Sequence, residues 1–143
     1  MNRFQFTDMY KYVRNIIPEL KKVKLAISDG FGFNFKENYI AVSEEKDFMD
    51  ELWEDFMTQY LKEEFDLKLT RDEIDMFSLL HEIGHQQTIN QFSQRELNHH
   101  FLAVDELDEE EFYEYRKLTV EYVADKWAVD FIKEHKTELL ELM

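Results

Sequence analysis

The sequence predicts an α+β fold, with a small antiparallel sheet of about three strands packed on a helical core. Two observations carry this. Apolar residues recur at helical spacing over most of the chain, but the spacing switches to two between residues 23 and 42. Only three glycines and one proline interrupt 143 residues, which favours long helices over many tight turns. A hydrophobic share of 44%, with 13 phenylalanines, is enough for a packed core and argues against disorder despite the charge. The length fits one domain over 1–143.

The elements follow in order. Phe4, Phe6, Met9, Tyr10, Val13, Ile16 and Ile17 share helical spacing. They predict a helix over 7–17, capped by Thr7 and stopped at Pro18. Val23, Leu25 and Ile27 then alternate with polar or small residues, and Asp29-Gly30 makes a turn. Phe31, Phe33 and Phe35 alternate next, Lys36-Glu37-Asn38 makes a second turn, and Tyr39 to Val42 forms a third strand. Together these predict an antiparallel meander with the phenylalanines in the core. Ser43, Glu44 and Glu45 are placed to open a long helix, because acids favour the positive end of the helix dipole. Its apolar stripe is Phe48, Leu52, Trp53, Phe56, Met57, Tyr60, Leu61 and Phe65.

Thr70-Arg71-Asp72-Glu73 reads as a capping box ahead of the next helix. That helix carries His81-Glu82-Ile83-Gly84-His85, the pattern H-E-x-x-H. Residues i and i+4 lie on one helical face, so both imidazoles can point at one metal ion. Glu82 lies beside that face and can reach a water on the ion without being a ligand. Ile74, Phe77, His81, Gly84, His85 and Thr88 share the face, so the histidines look inward. Gly84 in mid-helix costs about 1 kcal/mol against alanine. A close approach of another backbone accounts for it.

Downstream, Glu121-Tyr122-Val123-Ala124-Asp125 forms E-x-x-A-D, again with its two acids at i and i+4. Beside them runs a stripe of Val120, Val123, Ala124, Trp127, Ala128, Phe131 and Ile132. Acids next to a buried stripe are costly unless paired or metal-bound. A carboxylate from this second helix completes three ligands and leaves the fourth tetrahedral position open, the pattern of catalytic zinc. The other acid can accept the free ring N–H of a ligating histidine. This helix is predicted from 108–111, with a very acidic first turn, to about Ile132. Lys133 to Met143 reads as a separate short helix, with His135 structural or solvated. Residues 90–107 carry no clear pattern. His99 and His100 there have two readings: a solvated pair, or part of a loop over the site with one ring assisting an oxyanion. Tyr113, Tyr115 and Tyr122 are further candidates for that second role.

With no cysteine there is no disulfide, thiolate zinc site or cysteine nucleophile, so any chemistry falls to histidines and carboxylates. The net charge is −15, yet the first 24 residues carry six basic and two acidic side chains. An acidic body disfavours nucleic acid and anionic membrane surfaces and suits a basic peptide. No signal-peptide core or membrane-length apolar run is present, so a cytoplasmic protein is expected.

H-E-x-G-H followed by E-x-x-A-D resembles the gluzincin metallopeptidases. The small size, the expected cytosolic character and the strands before the motif bring the resemblance closest to the ImmA/IrrE-type peptidases of bacteria and their mobile elements. It covers roughly residues 20 to 133, with an unusually long separation between His85 and Glu121. It implies a zincin-like domain with Zn2+ held by His81, His85 and Glu121, Glu82 as catalytic base, and Asp125 as the partner of the His81 ring. It also implies site-specific cleavage of a regulatory protein such as a basic transcriptional repressor, bound as an added strand on a sheet edge. Two other classes stand beside it. One is a catalytically weak zinc-binding module acting by protein–protein contact. The other is a helical interaction domain in which the motifs are coincidental.

Overall fold

The computed structural model of the chain describes residues 1–46, 48–108 and 111–143. The side chains of Phe48 and Met49 lie outside that description, as do Glu109 and Glu110 of the expected acidic helix start. The architecture is α+β: a three-stranded sheet packed against helices. Helix α1 spans Arg3–Ile16, four residues earlier than the expected start at Thr7. Asn2 takes the capping role instead. Its side chain accepts from the backbone N–H groups of Phe4 and Gln5, both at 3.0 Å, and Gln5 returns the bond to the Asn2 amide. Thr7 donates its hydroxyl to the Arg3 carbonyl from within the helix.

Strands β1 (Lys24–Ser28), β2 (Gly32–Asn34) and β3 (Tyr39–Ser43) form the sheet, but not as a meander. The order is β1-β3-β2, with β1 parallel to β3 and β2 antiparallel to it. The antiparallel expectation thus holds for the β2–β3 hairpin and fails for β1. The cause is burial. Ile40 and Val42 of β3 are fully buried, whereas β1 and β2 have no buried residue. The most apolar strand therefore takes the centre, and Asp29-Gly30 links β1 to β2 without pairing them. The hairpin turn places Asn38 at φ 56°, a left-handed conformation that asparagine tolerates.

Ser43 ends β3 rather than opening a helix, and its hydroxyl accepts from the Glu45 amide at 3.1 Å. Helix α2 runs Phe48–Phe65. Met57, Tyr60 and Leu61 are buried, but Leu52 turns outward. The capping box forms as read, with the Thr70 amide donating to Glu73 at 2.9 Å. It opens a tight 3₁₀ turn leading into α3 (Ile74–Thr88). Every residue from Ile74 to Gly84 is buried, so α3 is a central helix covered on all sides.

The region without pattern forms α4 (Gln94–Asp105). Its start carries a local signal that the reading of 90–107 did not use, Ser93-x-x-Glu96, a capping box with both bonds made. The expected second-motif helix divides. Helix α5 (Phe112–Lys117) ends at extended Leu118, and α6 spans Thr119–Glu141. The separate terminal helix is the end of α6, set off by a kink at His135 (φ −122°, ψ 17°). The His135 ring is structural there, 3.2 Å from the Tyr12 hydroxyl. No helix among the described residues is long and apolar enough to cross a membrane.

Candidate metal centre

Helices α3 and α6 cross at Gly84. A Cβ placed on that residue would lie 2.7 Å from the Ala124 carbonyl oxygen. Both residues belong to the motifs, so the glycine lets the second motif's backbone approach the first, as the sequence suggested. The crossing aims the inner face of α3 at Glu121 and Asp125.

His81 Nε2 and His85 Nε2 then lie 3.0 and 3.1 Å from Glu121 Oε1. One ligand atom from each of the three falls within 4.8 Å of the others, a group that can hold a metal ion. Tetrahedral ligands at zinc distances sit about 3.3 Å apart, so the set fits such an ion. Asp125 is fully buried, and its Oδ1 lies 2.7 Å from His81 Nδ1. Among the described residues neither atom has another partner, and the approach is close without the alignment of a good hydrogen bond. Asp125 thus lies beside His81 Nδ1, while His81 Nε2 is the ring nitrogen next to Glu121.

Two further residues complete the cluster. Arg116 on α5 is buried, with Nη2 at 3.2 Å from Glu121 and Nε at 3.4 Å from Asp125. It offsets part of the charge that two buried carboxylates bring. His100 on α4 is buried with Nε2 at 3.2 Å from Glu121 Oε2, while neighbouring His99 faces solvent. Burial alone would raise the Glu121 carboxyl, but the rings of His100, His81 and His85 hold it well below the ordinary range. Burial also opposes a charged His81, yet the Asp125 and Glu121 carboxylates outweigh it and push that ring up to about 10.

Glu82 is only 8% exposed, and burial raises its carboxyl above the usual range. Among the described residues its one recorded ion pair is with His81 Nε2 at 4.0 Å. Two cavities, of about 280 and 190 Å³, meet at it. His81 and Arg116 line the larger, His85, His100 and Glu121 the smaller, and Glu82 and Tyr115 both. Of the five oxyanion candidates, His100 and Tyr115 therefore reach this cleft. Tyr113 is half exposed beneath Lys117, and Tyr122 donates to Glu64. Burial, then the charge of Glu121, pushes the Tyr115 phenol upward, so it stays a donor.

Spacing revealed His81, Glu82, His85, Glu121 and Asp125, and the fold brings all five together. It gave no sign of Arg116, and it left His100 as one of five oxyanion candidates without placing it beside Glu121. Both stand on helices whose docking, not whose local pattern, carries them inward. Comparison with models of known families, with curated proteins and with solved structures returned no match to this chain.

Proposed function

We propose that this protein is a zinc-dependent endopeptidase that cuts a peptide bond in a specific regulatory protein. The observation that carries the reading is a three-residue N/O ligand cluster beside a buried glutamate whose carboxylate faces an open cleft. A site serving structure alone has no use for such an acid. When bound, zinc supplies Lewis acidity, polarising a carbonyl and lowering the pKa of water toward about 7.

The chain's residues do the rest. Glu82, its proton affinity raised by burial, accepts a proton from the attacking water and returns it to the leaving amine. Asp125 fixes the His81 ring from behind. Tyr115 and His100 are placed to donate to the oxygen on which negative charge develops. The order β1-β3-β2 leaves β2 as an edge, and its residues Gly32 and Phe33 line the smaller cavity. A substrate segment added to that edge runs past the candidate base. The resemblance to ImmA/IrrE-type peptidases points the same way, to a repressor-like substrate. The net charge of −15 suits the basic surface of a DNA-binding protein.

The test compares zinc-loaded wild type with Glu82→Gln on an unstructured protein of basic composition, read by mass spectrometry. The variant keeps shape and hydrogen bonding but cannot take the proton. Its expected cleavage is at least about 100-fold slower with zinc content unchanged. Equal cleavage by the two proteins would remove Glu82 from the role.

A further inference from the structure

Arg116 carries a full positive charge into the core. The residue is 3% exposed on α5, a helix of only six residues. Burying a guanidinium is costly, and an apolar residue of similar size often serves stability better. Its surroundings show what the charge does. Nη2 lies 3.2 Å from Glu121 Oε1, and Nε lies 3.4 Å from Asp125 Oδ2. The remaining nitrogen, Nη1, rests 3.8 Å from the sulfur of fully buried Met57. The guanidinium carbon stands 4.8 Å from the centre of the Tyr115 ring. The short helix is itself pinned to α2, where Phe112 packs on Phe56 with ring centroids 5.4 Å apart.

Glu121 and Asp125 stand one turn apart on α6, and each meets a different nitrogen of the His81 ring, Nε2 at 3.0 Å and Nδ1 at 2.7 Å. His85, His100 and Tyr115 also reach Glu121, and Tyr60 reaches Asp125. Among the described residues, the side chains ion-paired to both acids are His81, itself a candidate ligand, and Arg116. Three buried atoms here, His81 Nδ1, Asp125 Oδ1 and Arg116 Nε, have close neighbours but no well-aligned hydrogen bond. Buried polar atoms are nearly always bonded. The line from His81 through Asp125 to Arg116 is therefore held by charge and packing more than by directed bonds, and the angle of the ring follows the place of its anchor.

We propose that Arg116 is a positioning residue for the metal centre, its planar fork fixing Glu121 directly and the His81 ring through Asp125. The inference rests on the metal-site part of the peptidase reading and adds to it the group that sets the ligand geometry. A bare counter-charge has a different consequence. A cation this close to a ligand repels a divalent ion, so removing it would strengthen metal binding. Lysine would then replace arginine without loss. A fork does not transfer to lysine, whose ammonium is a single point of charge.

The test titrates the wild-type chain and its Arg116→Lys and Arg116→Met variants with Co2+. Its visible absorption reports ligand number and geometry, where zinc, a filled-shell ion, is silent. Far-UV circular dichroism checks that each protein folds. Chelator competition should give about tenfold weaker binding for Arg116→Lys and about 100-fold weaker for Arg116→Met, the range seen when partners of metal ligands are lost. The cobalt band at saturation should differ from wild type in position and intensity in both variants, a change that a role confined to stability does not produce. If Arg116→Met does not fold, Arg116→Lys decides, because it keeps the buried charge. An Arg116→Lys protein that keeps the wild-type band, or an Arg116→Met protein that binds more tightly, overturns the inference. A wild type that takes up no cobalt overturns the metal reading and the inference together. The expected cobalt results, with no peptide cleavage by the zinc-loaded wild type, would overturn the peptidase reading and leave Arg116 its role.

Discussion

Asp125 has no exposed surface, and its Oδ1 meets His81 at 2.7 Å. Tyr60 donates to its other oxygen at 3.3 Å, on the side where Arg116 also lies. On the proposed reading, such a residue would orient a ligand without touching the ion. Removing it leaves all three ligands in place but frees the His81 ring to turn. Asp125→Ala should therefore weaken zinc binding by about 10- to 100-fold, as loss of such partners does. A competition titration with a chelator measures it, and unchanged affinity would reduce Asp125 to a structural acid. Why this residue was legible is physical. Helical spacing fixes which side chains share a face, and the acids sit beside an apolar stripe that buries them. His100 had no such signal. It is one of two adjacent histidines, and only the docking of α4 decides which ring turns toward Glu121.

At the scale of elements, the α3–α6 crossing decides whether the ligands converge. Alanine is intrinsically better than glycine in a helix by about 1 kcal/mol. At Gly84, however, the added methyl meets the Ala124 carbonyl oxygen at 2.7 Å, which is backbone and cannot rotate away. Gly84→Ala should destabilise the fold by up to about 2 kcal/mol net, because overpacking costs about 1–3 kcal/mol against that gain. It should also lower zinc content, because separating the helices draws Glu121 from the histidines. Denaturant unfolding with metal analysis checks both, and a more stable variant with full zinc would mean that the helices cross less tightly. The glycine was readable because it violates helix propensity, and a violation asks for a cause. The sheet was less so. Period-two alternation marks strands but not their neighbours, and three short strands allow more than one order. Burial of Ile40 and Val42 chose β3 as the centre. That is a tertiary fact without a local signature.

The whole molecule is an acidic body with a basic first segment, from which Arg3 reaches out to Glu44 at 3.0 Å. Long-range attraction of a basic substrate is screened beyond about 8–10 Å at physiological ionic strength. Cleavage of a basic protein should thus slow as salt rises from about 0.05 to 0.5 M, while a neutral peptide is cut at a steadier rate. Parallel rate measurements decide this, and identical salt profiles would remove charge from substrate choice. All of these expectations depend on a metal held by residues from α3 and α6. The most direct measurement is therefore elemental analysis of the zinc-supplied protein after dialysis against metal-free buffer. The arrangement predicts one zinc per chain in the wild type and little or none in His81→Ala, His85→Ala and Glu121→Gln. A wild type without zinc, or variants that keep it in full, would contradict the assignment.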